Sequence, residues 1–267
     1  DLLDRSRRDG CAPMSLAPRF EIYRRGEVWW MVDSEFEPGL NQLGLGQRKV
    51  AEAWIRRGHP RSHSNPQTGR GPTTLLEVPG VPERLHLRRT LHGGLLGPLW
   101  RGGLAGIARV RREIEVTSRL HEAGAPVPRP VLALAVRSGL LWRASVATVH
   151  LDETRTGLQW LASRPDPARR AFCARAVGEA VGRFHACGGR HADLHAGNIL
   201  LREHDGHTVA WVIDLDKARM TAASVVPRRR ELARLAHSLR KRSLLDSLDG
   251  SPRSAFLEAY SDALAGV

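Results

Sequence analysis

The alternation of apolar and polar residues divides the chain near its middle. Up to about residue 150 the apolar positions come in runs of strand length: Phe20 to Tyr23, Val28 to Val32, Thr73 to Val78, Glu83 to Arg89, Val131 to Val136 and Leu141 to Val149. Runs of this size bounded by turn-forming residues predict strands, and here Pro79-Gly80 and Ser138-Gly139 join two of the pairs as hairpins. One stretch in this half changes period. Over residues 104–123, Ile107, Val110, Ile114, Val116 and Leu120 share one face at about 100° per residue, and Gly124 with Pro126 and Pro128 closes the helix. Glu113 lies inside that apolar arc, whereas Glu115 points the other way. A carboxylate among core positions needs a partner.

Past residue 150 the helical period dominates. Gly157 to Ala162 predicts a short helix, and Pro167 to Cys187 a long one with Phe172, Ala176, Val177, Ala180, Val181 and Phe184 along one side. Two strands interrupt, Ile199 to Arg202 and Thr208 to Ile213, joined through Asp205-Gly206. Helices return at Arg229 to Leu244 and Ser254 to Ala265. The pattern predicts an α+β chain: a small β-rich lobe with one long helix over residues 19–149, and a larger helical lobe over 150–267. A cleft between them is the expected site. Residues 56–73, rich in Gly, Pro, Ser, Asn and Arg, read as loop. Residues 1–18 read as a flexible tail.

Composition narrows this. A chain of 267 residues, 42% hydrophobic and 26% charged, can bury a core. No apolar run approaches the roughly 20 residues needed to span a bilayer, and no basic-then-apolar leader opens the sequence. A cytoplasmic protein without a transmembrane segment is expected. Cys11, Cys173 and Cys187 have no metal-ligand spacing, and Cys173 and Cys187 read as packing residues. The net charge of +13 is carried almost wholly by arginine; the lysines are Lys49, Lys217 and Lys241. Such a surface attracts anionic partners, including the acidic inner face of a membrane. No helix interleaves clustered arginines with aromatics, so specific nucleic-acid binding is not expected. Trp160 and Trp211 are the tryptophans expected to be buried.

The chemistry concentrates in His191-Ala192-Asp193-Leu194-His195-Ala196-Gly197-Asn198, followed by an apolar strand, and then in Ile213-Asp214-Leu215-Asp216 at the end of the return strand. Phosphoryl transfer needs a carboxylate to orient the attacking hydroxyl, and oxygen ligands for the magnesium ion that bridges the ATP phosphates. A loop fixed between a helix and a hairpin can bring Asp193, Asn198 and Asp214 together. His191 is expected under the loop, and neither it nor His185 and His195 fits a zinc spacing. His195 and Asp216 are left with open roles.

This order of residues resembles the protein-kinase-like superfamily, a bilobal fold whose catalytic loop and metal-binding Asp follow the same sequence. Ala192 stands where protein kinases have Arg, and Asp214-Leu215-Asp216 lacks the glycine of Asp-Phe-Gly, which is similar to the small-molecule branch. HADLHAGNILL, VIDLDKAR and LARLAHSLRK together resemble the lipopolysaccharide-core kinases of Gram-negative bacteria, nearest to those acting on 3-deoxy-D-manno-octulosonic acid (Kdo). Leu87-Arg88, Gly93-Gly94, Arg112-Glu113 and the run Ala123 to Pro130 extend the likeness over residues 69–245.

The resemblance implies Asp193 as general base, Asn198 and Asp214 as ligands of Mg²⁺, and Gly69, Arg70 and Gly71 in a loop over the phosphates of ATP. It also implies Glu113 as the helix carboxylate that positions a phosphate-contacting cation. No lysine lies between Lys49 and Lys217, so Arg88 takes that place, as Arg does in the Kdo branch; a guanidinium can bridge phosphate and carboxylate. The implied acceptor is a lipid-linked sugar at the cytoplasmic face of the inner membrane. Kinases of heptoses or aminoglycosides, and an inactive kinase-like binding module, are the alternatives.

Overall fold

The computed structural model describes residues 19–57, 63–65, 73–90, 103–221 and 225–266. The tail expected at 1–18, Cys11, and the expected phosphate loop Gly69, Arg70 and Gly71 lie outside the described residues. Seven strands form one antiparallel sheet: β1 (Phe20–Arg25), β2 (Val28–Asp33), β3 (His63–Asn65), β4 (Thr73–Glu77), β5 (Arg84–Thr90), β6 (Pro130–Ser138) and β7 (Leu141–Val149), in the order β1-β2-β6-β7-β5-β4-β3. Among the described residues three helices belong to this half: α1 (Glu37–Gln42), α2 (Arg48–Arg57) and α3 (Ala108–Glu122).

Two of those helices were not expected. Residues 14–54 read as strand-like pieces, yet α1 starts with Pro38 in its first turn, and α2 turns Ala51, Trp54 and Ile55 into the core. Arg48 Nε donates to Glu52 one turn on, at 2.9 Å. At 6 and 10 residues these helices are too short to be stable alone; the sheet they cover holds them. Strand alternation then explains both faces. Val28, Trp30, Val32, Leu132, Leu134, Leu85 and Leu87 pack with α1 and α2, whereas Trp29, Met31, Ala133, Ala135, Ala144 and Val146 pack with Val110 and Ile114 of α3. β2 is therefore buried along its whole length. β3 falls inside the stretch expected to be loop.

The second half holds β8 (Arg155–Thr156), α4 (Gly157–Ala162), α5 (Pro167–Ala186), β9 (Gly189–Arg190), β10 (Ile199–His204), β11 (His207–Val212), β12 (Arg219–Met220), α6 (Val225–Arg240) and α7 (Ser251–Ala265). Thr156 and Gln159 form a reciprocal cap on α4, and Asp166 caps α5. The β10–β11 hairpin turns through Asp205 and Gly206, both at positive φ, as a two-residue turn requires. Helices α5 and α7 approach closely because Gly178 and Gly182 lie at the crossing: a Cβ on either would press into the backbone of Phe256 or Tyr260. One expectation for α5 is corrected. Phe172 is 63% exposed, and buried Cys173 takes the inward position. Burial pushes the Cys173 thiol up to about 11, as suits a packing residue. Trp160 is buried, but Trp211 is only half-buried, with the Arg202 guanidinium over its ring.

The molecule thus pairs an antiparallel sheet region with a helical region, the expected α+β arrangement. Among the described residues no helix is long and apolar enough to cross a membrane.

Candidate functional site

The loop between β9 and β10 is fixed from below by hydrogen bonds. The backbone N–H of His191 donates to Glu231 Oε2 of α6 at 2.9 Å, and the buried His185 of α5 reaches the same oxygen through Nε2 at 3.1 Å. The Tyr260 hydroxyl of α7 meets His185 Nδ1 at 2.9 Å. Three helices thereby converge beneath one loop. The His191 ring continues the chain: Asp193 N–H donates to its Nδ1 at 3.1 Å, so Nε2 carries the proton and donates to the Ile213 carbonyl at 2.9 Å. Arg234 Nη1 donates to the His191 carbonyl at 3.2 Å. His191, expected under the loop, is buried there. Glu231, His185 and Tyr260 were not singled out for this role; they are ordinary helix residues until three helices meet.

Asn198 ends a single 3-10 turn, Ala196–Asn198, and is buried. Its Nδ2 donates to the Asp193 carbonyl at 2.9 Å, and its own carbonyl accepts from Ile213 N–H at 2.9 Å. The amide nitrogen is thus committed, and the side-chain oxygen is the end suited to a cation. The Asp193 side chain is exposed, and His195 Nε2 lies 3.8 Å from its carboxylate. Asp214 follows directly on Ile213 and holds φ at 63°, the left-handed region that non-glycine residues seldom adopt. Backbone strain of this kind collects at sites where surrounding structure over-determines the chain.

The sheet supplies the facing side. Leu85 and Leu87 turn toward α1 and α2, so Arg88 points to the opposite face, where α3 lies. There it pairs with Glu113, and its Nη1 lies 3.2 Å from Asp214 Oδ1. Burial alone would lower the Arg88 pKa, but Glu113, Asp214 and Asp216 hold it above the usual arginine range. Burial pushes the Glu113 carboxyl up, and Arg88 pulls against that. Glu113 Oε2 is buried with no hydrogen-bond partner among the described residues. Arg109, one turn before Glu113 on α3, pairs with Asp216.

The structure therefore brings Arg88, Glu113 and Asp214 into one charged cluster, and joins Asp193 to Asn198 and Asn198 to Ile213, the residue before Asp214. Glu115, as expected, stays on the other side, paired with Arg111. Among the described residues no group of three or more His, Cys, Asp and Glu could hold a metal by itself. An amide oxygen and one carboxylate instead fit a hard cation that arrives with phosphate oxygens and waters completing its shell. Behind the loop lies a separate cavity of about 430 Å³, walled by Ala196, Ile199, Cys173, Leu235, Leu239 and Phe256. It is almost wholly apolar, and none of the five charged or amide residues above lines it.

Comparison with known proteins agrees with this architecture. Residues 69–260 match the model of the lipopolysaccharide kinase (Kdo/WaaP) family. The chain is 36% identical over 179 residues to a 3-deoxy-D-manno-octulosonic acid kinase of Stenotrophomonas maltophilia, covering 65% of this chain and 68% of that protein. It is 33% identical over 196 residues to an enzyme of the same name from Xanthomonas oryzae pv. oryzae, covering 71% and 73%. The solved structure of WaaP in complex with acyl carrier protein superposes with a TM-score of 0.53 at 22% identity, over 84% of this chain and 86% of that one. The chain belongs to the lipopolysaccharide kinase (Kdo/WaaP) family, and with it to the phosphotransferases.

Proposed function

We propose that this chain transfers the γ-phosphoryl group of ATP to a hydroxyl of the Kdo residue of Kdo-lipid A, working at the cytoplasmic face of the inner membrane. What supports the reading is a chain of contacts: Asn198 holds the Asp193 carbonyl and accepts from Ile213 N–H, and Asp214, the next residue, meets the Arg88–Glu113 pair. Asp193 orients the acceptor hydroxyl and takes its proton as the oxygen attacks the γ-phosphorus. The bond from that phosphorus to the β,γ-bridging oxygen breaks, and ADP leaves. Arg88 exchanges its contact with Asp214 for the nucleotide phosphates and keeps Glu113 as its anchor. Asn198 and Asp214 would hold Mg²⁺, which when bound neutralises charge on the phosphates. The name shared by the two curated relatives favours the Kdo acceptor. The net charge of +13 favours docking on an anionic leaflet.

The test is transfer of label from γ-labelled ATP. Kdo-lipid A should accept it, and a heptose-terminated lipid or an aminoglycoside should not; labelling of either in its place would overturn the acceptor. Asp193→Asn should lower turnover by about 10²–10⁴-fold with nucleotide binding nearly intact. An unchanged rate would remove Asp193 from the mechanism.

The cavity supports a second association. Its almost wholly apolar wall suits an acyl chain, and WaaP was solved in complex with acyl carrier protein. Acylated carrier should raise the melting temperature and bare carrier should not. Equal effects of the two would dismiss the cavity as the seat.

A further inference from the structure

Asp216 and Arg109 form an ion pair between residues 107 apart in sequence, both partly buried, joining the start of α3 to the turn that carries Asp214. Arg109 and Glu113 are four residues apart and so share a face of α3. The helix therefore reaches the 214–216 turn along two parallel lines. One is direct, from Arg109 to Asp216. The other runs from Glu113 through Arg88 to Asp214. In between, Leu215 is buried, and its carbonyl accepts from Ala218 N–H at 3.0 Å.

The two lines differ in what nucleotide binding does to them. On the reading proposed above, Arg88 leaves Asp214 for phosphate, so the second line opens at its far end while the first stays closed. The cluster also holds three carboxylates, Glu113, Asp214 and Asp216, against the two guanidinium groups of Arg88 and Arg109. Removing Arg109 would leave Asp216 to compete with Asp214 for Arg88 or for an incoming cation. It would also loosen a turn whose residue 214 sits in a backbone region that it would not hold alone.

We propose that Arg109 is a positioning residue for the transfer reaction: by neutralising Asp216 and tying it to α3, it keeps the 214–216 turn in place so that Asp214, and not Asp216, faces the metal-bound nucleotide. The inference rests on the kinase reading of the site. Arg109 touches neither nucleotide nor acceptor in this scheme, and it acts through Asp216.

The experiment measures binding of a fluorescent ATP analogue while Mg²⁺ is titrated, which needs no acceptor, alongside thermal melting. Arg109→Gln should raise the Mg²⁺ concentration needed for half-maximal nucleotide binding by about tenfold or more, the scale typical of partners that orient metal ligands. Asp216→Asn should shift it less, because the competing charge goes with the tie. The exchange of both residues, Arg109→Asp with Asp216→Arg, should recover part of the loss. Variants that melt earlier but follow the Mg²⁺ curve of the unmodified chain would overturn the proposal, leaving the pair a structural one. Nucleotide binding by the unmodified chain that ignores Mg²⁺ would instead overturn the kinase reading, and the proposal with it.

Discussion

The two sides of the site are built from different interactions. On the helical side, the loop carrying Asp193 and Asn198 is held by hydrogen bonds of 2.9 to 3.2 Å to Glu231, His191, Ile213 and Arg234, in contact with three helices. On the sheet side, Arg88 is held by charge, between Glu113 and Asp214. Directional hydrogen bonds in a buried network fix one geometry, and leaving one unmade is costly. A partly exposed ion pair can change partner without leaving either charge alone. The helical side is thus a finished surface, and the sheet side is an exchangeable clamp. On the proposed reading, the difference places rigidity at the loop that would orient the attacking hydroxyl and exchange at the cation that would follow the phosphates.

Breaking the helical side should have the largest effect on stability. Glu231→Leu leaves the His191 N–H and His185 Nε2 without their acceptor and removes the charge that offsets burial of Arg190. Loss of a buried acceptor of two donors should cost about 3–5 kcal/mol in chemical denaturation. Glu231→Gln, which keeps an oxygen in place, should recover much of it. If both variants melt like the unmodified chain, the loop is held by something else.

Arg88→Gln should act the other way, weakening nucleotide binding by about 10–100-fold, roughly 1.4–2.8 kcal/mol, as measured by equilibrium titration. Its effect on stability should depend on pH. Burial already raises the Glu113 pKa, and without Arg88 that carboxyl rises further. A raised folded-state pKa leaves stability intact below the ordinary carboxylate range and takes it away as pH climbs through the folded value. Denaturation at pH 4 and pH 8 should separate the variant from the unmodified chain only at the higher pH. A variant that binds nucleotide normally would dissolve the contrast between the two sides.

The smallest effect is expected at His86, two residues before Arg88 on the same face of β5. Burial, with help from His150 and Arg88, pulls its pKa down to about 4 from the usual 6.5. A depressed folded-state value means that stability is full above pH 6.5 and is lost as pH falls toward 4. The loss should be on the order of 1–2 kcal/mol, since the ring is not fully buried. His86→Gln should flatten that part of the stability curve. A curve unchanged by the substitution would assign the acid sensitivity elsewhere.

How much of this was legible in the sequence varied with the reach of the interaction. Strands β5, β6, β7, β10 and β11 and helices α3, α4 and α5 follow from local period, run length and turn residues, all of which a short stretch of chain carries by itself. The place of Glu113 on the apolar face of α3 followed from the same period, as did the need for a partner. Helices α1 and α2 did not follow. They are short, and their apolar residues mark a face only when a sheet lies opposite. Phe172 misled because size was taken for burial; the smaller Cys173 beside it is the buried residue.

By itself, then, the sequence determined the division into a sheet region and a helical region, the candidate residues Asp193, Asn198, Asp214, Arg88 and Glu113, and the likeness to a kinase family. These depend on local period, on spacing along one segment, and on residue type. Tertiary structure alone decided that Glu231, His185 and Tyr260 sit beneath the loop, that Arg88 meets Asp214 as well as Glu113, and that Arg109 reaches Asp216. Contacts between residues 40 to 130 positions apart leave no period in a chain; they exist only once packing has chosen which faces meet.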